Sequence, residues 1–407
     1  MRRWRCCARR RTRRDVRFDL RELTMAFGTG AIGTFALHAT SDGARRATLT
    51  TAHGEVATPC FMPVGTLADV KLLEPQDLHE IGSRIVLANT YHLWLRPGRE
   101  TLVAAGGIHR FMAWDGPVLT DSGGYQVFSL ESRRRLDDDG VTFRSHLDGS
   151  AHRFTPENVV AFQEDLGVDV AMVLDQCVKL PSSREELERA VERTTAWARR
   201  SAEAWRRGPA MLFGIVQGGL DEELRARSAS ELVALDLPGY AIGGLSVGET
   251  RVEMERVARF TAALLPEHKP RYLMGVGTVR DLIAGIDRGI DLFDCVYPTR
   301  SGRHGRVLTR AGAEYNVRNA GNVRDFGPVD PDCDCRVCAT YSKAYLSHLF
   351  RAGETLGQRL LSYHNVAALT WLVRAARSAI EENRWAAFRD AIVTTEAPDG
   401  AAEKEPG

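Results

Sequence analysis

CFMPVG (60–65), RIVLANT (84–90), PVLTDSGG (117–124), VDVAMVLDQC (168–177), MLFGIVQGG (211–219), YAIGGLSVG (240–248), RYLMGVG (271–277) and IDLFDCV (290–296) are eight short apolar runs, each followed by a helix-like segment. Alternating β and α units imply a parallel sheet, and eight is the number that closes a barrel. The fold class is therefore α/β, a (β/α)8 barrel of the TIM type. A doubly wound open sheet fits less well. No Gly-rich phosphate loop opens the first βα unit, and eight strands is a high count for an open sheet.

The intervening segments carry helix signals. Thr155-Pro156 reads as a cap with proline at the first helical position. Ser182 and Glu185 fit a capping box before a long charged helix reaching Arg207. The spacing from Glu249 to Leu265 and from Thr278 to Arg288 is of the 3.6 type. Before the barrel, residues 25–58 alternate with Gly and Asp-Gly turns, as in a small antiparallel β layer. A polar, turn-rich stretch at about 129–153 reads as a hairpin insertion. The expected division is a barrel with its β layer over 25–299 and a second subdomain over 300–392. In the latter, a strand-like stretch near 306–318 leads to a cysteine cluster and then to helices from about 340 to 392.

The 407 residues are 44% hydrophobic and 26% charged, an ordinary globular composition. The formal net charge is +1, so any attraction to nucleic acid must come from local clusters. Residues 1–24 are dense in arginine and have no apolar run of the kind a secretory signal needs. Asp15, Asp19 and Glu22 count against a transit peptide, leaving a disordered basic arm, or a chain whose start is Met25. Residues 393–407 read as a disordered tail. No apolar run approaches the ~20 residues that span a bilayer.

Of eight cysteines, Cys6, Cys7, Cys60, Cys177 and Cys295 are scattered and suggest no disulfide framework, which fits a reducing, cytoplasmic compartment. Cys333, Cys335 and Cys338 are close enough in sequence to turn three sulfurs toward one zinc ion. His364, in LLSYHNVA, is the best candidate for the fourth ligand. A Cys3His set leaves no open coordination position, so it indicates a structural ion.

In a barrel of this kind, chemistry sits at the C-terminal ends of the strands. Those ends carry Asn89, Asp121, Asp175, Gln217, Glu249 and Asp294. A carboxylate next to an apolar run is costly unless it is paired or functional. Two acidic groups can divide the labour at a glycosidic carbon, one attacking it and the other handling the proton of the base. Gly218-Gly219 and Gly243-Gly244 leave backbone groups free to meet a flat heterocycle, and Tyr125 and Met274 can cover its faces. Arg300, Arg303, Arg306, Arg310, Arg318 and Arg324 are opposed only by Glu314, which suits a phosphate-binding surface.

The motifs NTYHLWLRPG, TDSGGYQVFSL, FGIVQGG, GYAIGGLSVGE, YLMGVGT, DLFDCVYPTRSGRHG and CDCRVC…H resemble those of the bacterial tRNA-guanine transglycosylases (queuine tRNA-ribosyltransferases). The likeness runs from about Gly30 to residue 385. It implies a homodimeric, zinc-containing barrel that removes guanine from the wobble position of tRNAs for Asp, Asn, His and Tyr. The base inserted is 7-aminomethyl-7-deazaguanine, on the way to queuosine. By the same resemblance Asp294 is the nucleophile and Asp121 the general acid/base. Ser122, Gly123, Gly124, Asp175, Gln217, Gly243, Gly244 and Leu245 form the base pocket, with Tyr125 and Met274 stacking on the base. The loop Gly275, Val276, Gly277, Thr278, Val279, Arg280, Asp281 and the stretch Thr299, Arg300, Ser301, Gly302, Arg303 match RNA-contacting segments. Val247 and Cys177 resemble the bacterial form; the eukaryotic enzyme has glycine at the first position, making room for the bulkier queuine. The competing expectation is a tRNA-binding subunit without catalysis, which would lack the carboxylate pair or the zinc ligands. Both sets are present.

Overall fold

The computed structural model describes residues 31–129 and 134–395. The basic arm expected at 1–24 lies outside them. Three antiparallel strands come first, β1 (Phe35–Ser41), β2 (Ala44–Thr51) and β3 (Gly54–Thr58). The barrel follows. Its strands are β4 (Cys60–Gly65), β5 (Val86–Ala88), β6 (Val118–Thr120), β10 (Val170–Met172), β11 (Met211–Val216), β12 (Gly239–Ile242), β13 (Arg271–Leu273) and β14 (Leu292–Cys295). Between β6 and β10 lies the insertion, β7 (Arg134–Asp137), β8 (Gly140–Arg144) and β9 (Ala151–Phe154).

All eight apolar runs become barrel strands, parallel and closed on themselves. Closure is made by β14 against β4, pairing Leu292 with Cys60, Phe293 with Phe61, Asp294 with Met62 and Cys295 with Pro63. The run of residues is apolar because every strand is covered on both faces. Phe61, Met62, Phe213, Ile215, Tyr240 and Phe293 are all buried to within about 1%.

Local chemistry sets the helix starts. Thr155 caps helix Pro156–Asp165 in a full capping box with Asn158, and Thr250 does the same for Arg251–Leu264 with Glu253. Thr278 caps Val279–Ile286. The cap expected at Ser182 falls one residue later. Ser183 accepts from the Glu186 amide at the head of Arg184–Ala204, while the Ser182 hydroxyl bonds the Glu186 carboxylate. Two adjacent serines compete for one cap, and the one with extended backbone at the first turn takes it.

The insertion is a three-stranded antiparallel sheet, one strand more than a hairpin. Its inner residues Val141, Phe143 and Phe154 pack with Tyr91 and Trp197 into a separate apolar cluster. The third strand was masked in sequence by polar residues such as His152, which stacks on the Phe143 ring, and Arg153, which pairs with Asp137.

The C-terminal part begins with the hairpin β15 (Arg306–Leu308) and β16 (Glu314–Asn316). Its long helix, Thr355–Glu381, spans 27 residues and packs on β1, β2, β4 and β15. The last helix, Trp385–Thr395, takes in the first three residues of the tail expected at 393–407. Among the described residues no helix is long and apolar enough to cross a membrane.

Gly239 starts β12 where a Cβ would overlap the Phe213 ring. Gly239→Ala should therefore destabilise the chain by about 1–3 kcal/mol through overpacking. A lower denaturant midpoint at unchanged slope would check this.

Candidate active site

The C-terminal ends of the barrel strands enclose a cavity of about 560 Å3. Asp121 stands one residue after β6, Gln217 one residue after β11, and Asp294 next to last in β14. Asp175 comes from the loop after β10, Gly243 to Leu245 from the end of β12, and Met274 to Thr278 from the end of β13. Asp121, Asp175, Gln217, Met274 and Asp294 all line this space. Parallel strands point the same way, so their ends meet on one rim however far apart they are in sequence.

Asp294 is buried, and its Oδ1 accepts from the Tyr272 hydroxyl at 2.5 Å and the Gly275 amide at 2.8 Å. Burial raises its pKa, and those two donors oppose the rise. Asp121 accepts on Oδ1 from the amides of Thr90 (2.8 Å) and Gly123 (3.2 Å), and on Oδ2 from the Asn89 side chain. Burial pushes its pKa up to about 7; the charges of Asp294 and Asp175 add to this, against the two amides. A carboxyl poised there gives and takes protons readily near neutral pH.

Asp175 has a different setting. Its two oxygens accept from Ser122 Oγ and Gln217 Nε2, both at 2.7 Å, and burial raises its pKa. It is thus fixed in orientation, as a group that reads a ligand must be. Gly124 has no room for a side chain, because a Cβ would lie 2.7 Å from both an oxygen of the Asp175 carboxylate and its carbonyl. Gly243 is likewise filled in, with the Gln217 amide nitrogen 2.9 Å from where a Cβ would be. Tyr125 stands at the rim with 56% of its surface exposed, and Val247 and Cys177 line the same wall.

Three contributors were not singled out in the sequence. Tyr272 looked like a strand interior residue and bonds Asp294. Thr90 holds Asp121 through its amide, and its hydroxyl donates to the Asp121 carbonyl at 2.6 Å. Arg225 is fully buried and donates to the carbonyls of Gly219 (2.8 Å), Val216 (3.3 Å) and Gly244 (3.3 Å). It ties together the two glycine loops at the ends of β11 and β12. Burial drives its pKa down to about 10. Only its place in a helix, Glu222–Val233, was legible, and a buried arginine cannot be told from a surface one by spacing.

Some expected positions do not face the cavity. Glu249 caps its own loop by accepting from the amides of Ser246 and Val247 (2.9 Å to the latter). Thr299, Ser301 and Gly302 are buried against the long helix, where a Cβ on Gly302 would come within 2.9 Å of the Ser362 amide. Only Arg300 and Arg303 of that stretch keep an exposed or half-buried side chain, and Arg300 lines the cavity. In the other loop Val276 and Val279 are buried, while Gly275 is exposed and Thr278 and Arg280 half-buried. Arg310 belongs to no basic surface. Its amide donates to Asp330 and its guanidinium to the Asp332 carbonyl, both at 2.8 Å; it pairs with Asp334 and covers Trp371.

Arg310 thereby braces the metal loop. The Cys333, Cys335 and Cys338 sulfurs and a His364 nitrogen lie within 4.8 Å of one another. His364 Nδ1 is 3.3 Å from Cys338 Sγ and 3.6 Å from Cys335 Sγ. Sulfur and nitrogen ligands of one tetrahedral zinc are about 3.5 Å apart, so the set fits that ion. His364 Nε2 donates to the Leu308 carbonyl at 3.0 Å, which leaves Nδ1 free to ligate. With four protein ligands zinc would have no open position, a structural role. Next to it, Arg336 and Arg359 each reach the buried Asp77 at 2.8 Å, fastening the metal loop to the first barrel helix, Pro75–Ile81.

A family model described as queuine tRNA-ribosyltransferase matches residues 40–398. Curated relatives bear the same description. One from Pelotomaculum thermopropionicum is 55% identical over 350 residues, covering 86% of this chain and 94% of its own length. One from Gloeobacter violaceus is 56% identical, covering 84% and 92%. One from Oleidesulfovibrio alaskensis is 52% identical, covering 90% and 98%.

Tyr272→Phe removes one of the two donors that oppose the rise in the Asp294 pKa. The pKa of Asp294 should rise further, which carboxyl-carbon NMR titration would detect; an unchanged or lower pKa would contradict the assigned role of the hydroxyl.

Proposed function

The chain belongs to the queuine tRNA-ribosyltransferase family, and on that premise we propose that it exchanges the wobble guanine of tRNAs with GUN anticodons for 7-aminomethyl-7-deazaguanine. It is a pentosyltransferase that performs base exchange in tRNA. The tRNAs are those for Asp, Asn, His and Tyr, and the product leads to queuosine. The observation that carries this reading is a pair of carboxylates, the half-buried Asp121 and the buried Asp294, that line one cavity at the strand ends.

The reaction needs two displacements at the ribose C1′. An Asp294 oxygen attacks C1′ as the C1′–N bond to guanine breaks, and the electron pair leaves with the base. Asp121, with its pKa near 7, supplies the proton that guanine takes up. The incoming deazaguanine then returns a proton to Asp121, and its nitrogen attacks C1′ and displaces Asp294. Charge spreads onto an oxocarbenium-like ribose in each transition state, beside a carboxylate held by Tyr272 and Gly275. The base sits against Asp175, Gln217, Gly244 and Leu245, with Tyr125 and Met274 over its faces. Extruding the wobble base into a closed pocket is how enzymes reach a stacked nucleobase. Arg300, Arg303 and the loop 275–281 face the RNA.

Zinc supplies no step; it holds the C-terminal segment in register with the cavity. The three cysteines must be reduced to bind it, which supports a cytoplasmic setting. A homodimer is the assembly, because one tRNA is too large for two subunits to be served independently.

Asp294→Asn should abolish the covalent enzyme–tRNA adduct on a denaturing gel; an undiminished adduct would remove Asp294 as nucleophile. Val247 half-closes the wall of the base pocket. Val247→Gly should increase queuine incorporation relative to the aminomethyl base by at least tenfold, roughly what removing a filled ~1–3 kcal/mol contact or clash is worth. Equal use of both bases by the unaltered protein would contradict this assignment.

A further inference from the structure

At the opposite end of the barrel from the cavity, three elements deliver titratable side chains to one point. His53 comes from the β2–β3 turn, His109 from the short helix Ile108–Met112, and Asp169 from the residue before β10. His53 Nδ1 lies 3.0 and 3.1 Å from the two Asp169 oxygens, and His109 Nε2 lies 3.2 Å from Oδ2. All three ligand atoms are within 4.8 Å of one another. None of them is near the Cys3His cluster in sequence or serves the exchange reaction.

We propose that His53, His109 and Asp169 form a second metal site, for a divalent transition ion of the zinc type. The carboxylate is already built as a ligand. Its side chain is wholly buried, and both of its oxygens face the imidazole nitrogens. Each oxygen also accepts one backbone amide, His53 at 3.0 Å on Oδ1 and Val118 at 2.9 Å on Oδ2. Those amides fix the carboxylate plane and leave one lone pair on each oxygen, as outer contacts do at metal centres.

The imidazoles point the same way. Their rings stack with centroids 3.6 Å apart and planes 17° from parallel, and both present a nitrogen to the same carboxylate. Aromatic pairs prefer wider or offset arrangements. Two N–H dipoles lying side by side repel, whereas one cation between two lone pairs draws both rings together. Ligand atoms about 2.1 Å from one ion are ~3.0 Å apart at right angles and ~3.4 Å apart at the tetrahedral angle, and the observed nitrogen–oxygen separations fall in that interval. Two imidazoles and one carboxylate select zinc, nickel or cobalt over magnesium and calcium. The His53 side chain is 37% exposed, giving the ion a path in from solvent and a place for water as a fourth ligand. Bound there, the ion would pin the β2–β3 turn to the floor of the barrel.

The test counts zinc per chain by native mass spectrometry on the full-length protein, first equilibrated with micromolar free zinc. Two ions per chain are expected, falling to one in His53→Gln and in His109→Gln, while His268→Gln, an exposed control, keeps two. Each of the first two variants should weaken the second site by at least about 100-fold, more than the loss of a supporting contact would cause. Added zinc should also raise the melting temperature of the unaltered protein and not that of His53→Gln. One ion per chain at saturation, meaning a hydrogen-bonded latch only, would overturn the proposal. So would a second ion that survives both variants or is lost equally in His268→Gln.

Discussion

The ladder between the last barrel strand and the first holds the site together. Leu292 to Cys295 pair with Cys60 to Pro63, and this closure makes an eight-stranded sheet into a cylinder. An open sheet would leave Asp294 on an edge strand, facing water and separated from Asp121 by the width of the sheet. Closure puts β14 two strands from β5 and three from β6, across one cavity. It also removes both edges of the barrel sheet, so none of its strands has an unpaired side. The seam is further secured from outside, since the long helix Thr355–Glu381 packs on β4 and on the segment that continues β14.

Closure creates an electrostatic cost that the surrounding residues offset. Asp121, Asp175 and Asp294 all lose water, and each has its pKa raised by burial. Three carboxyls in one cavity are tolerated because each has hydrogen-bond donors: amides for Asp121, a hydroxyl and a side-chain amide for Asp175, a phenol and an amide for Asp294. The differences among those donors separate the roles. Asp294 has two donors on one oxygen that favour its charged form against burial, Asp175 is fixed in direction, and burial brings the Asp121 pKa up to about 7. Beneath them Arg225, a buried cation bonded to carbonyls, keeps the two glycine loops at a set spacing.

The C-terminal subdomain is attached by polar contacts as well as by the packing of its long helix on the barrel. Asn365 donates to the carbonyls of Pro298 and Arg306 at 3.0 Å and accepts from the Leu308 amide at 2.9 Å. One residue earlier on the same helix, His364 turns toward the three cysteines. A single turn of helix thus ties the metal cluster to the segment that leaves the catalytic strand. Arg336 and Arg359 on Asp77 add the connection to the first helix of the barrel.

The eight strands, the helix cap at Thr155, the cysteine cluster and the carboxylates at the strand ends are all legible in the sequence, because each depends on near neighbours along the chain: periodicity, a capping side chain, the spacing of thiols. The misread features share a different cause. Arg310 counted as a phosphate-facing cation until its partners Asp330 and Asp334 and the Trp371 face were known. Glu249 counted as a rim carboxylate until it proved to cap its own loop. Tyr272 and Arg225 passed as ordinary strand and helix residues. The sequence by itself determined the number of barrel units, the chemistry available at their ends and the ligands of the zinc. Only the tertiary structure decided which charges are buried, which donors meet them and hence which acid is left poised to move a proton. Burial and pKa belong to whatever packs around a side chain from distant parts of the chain, and local sequence carries no record of that.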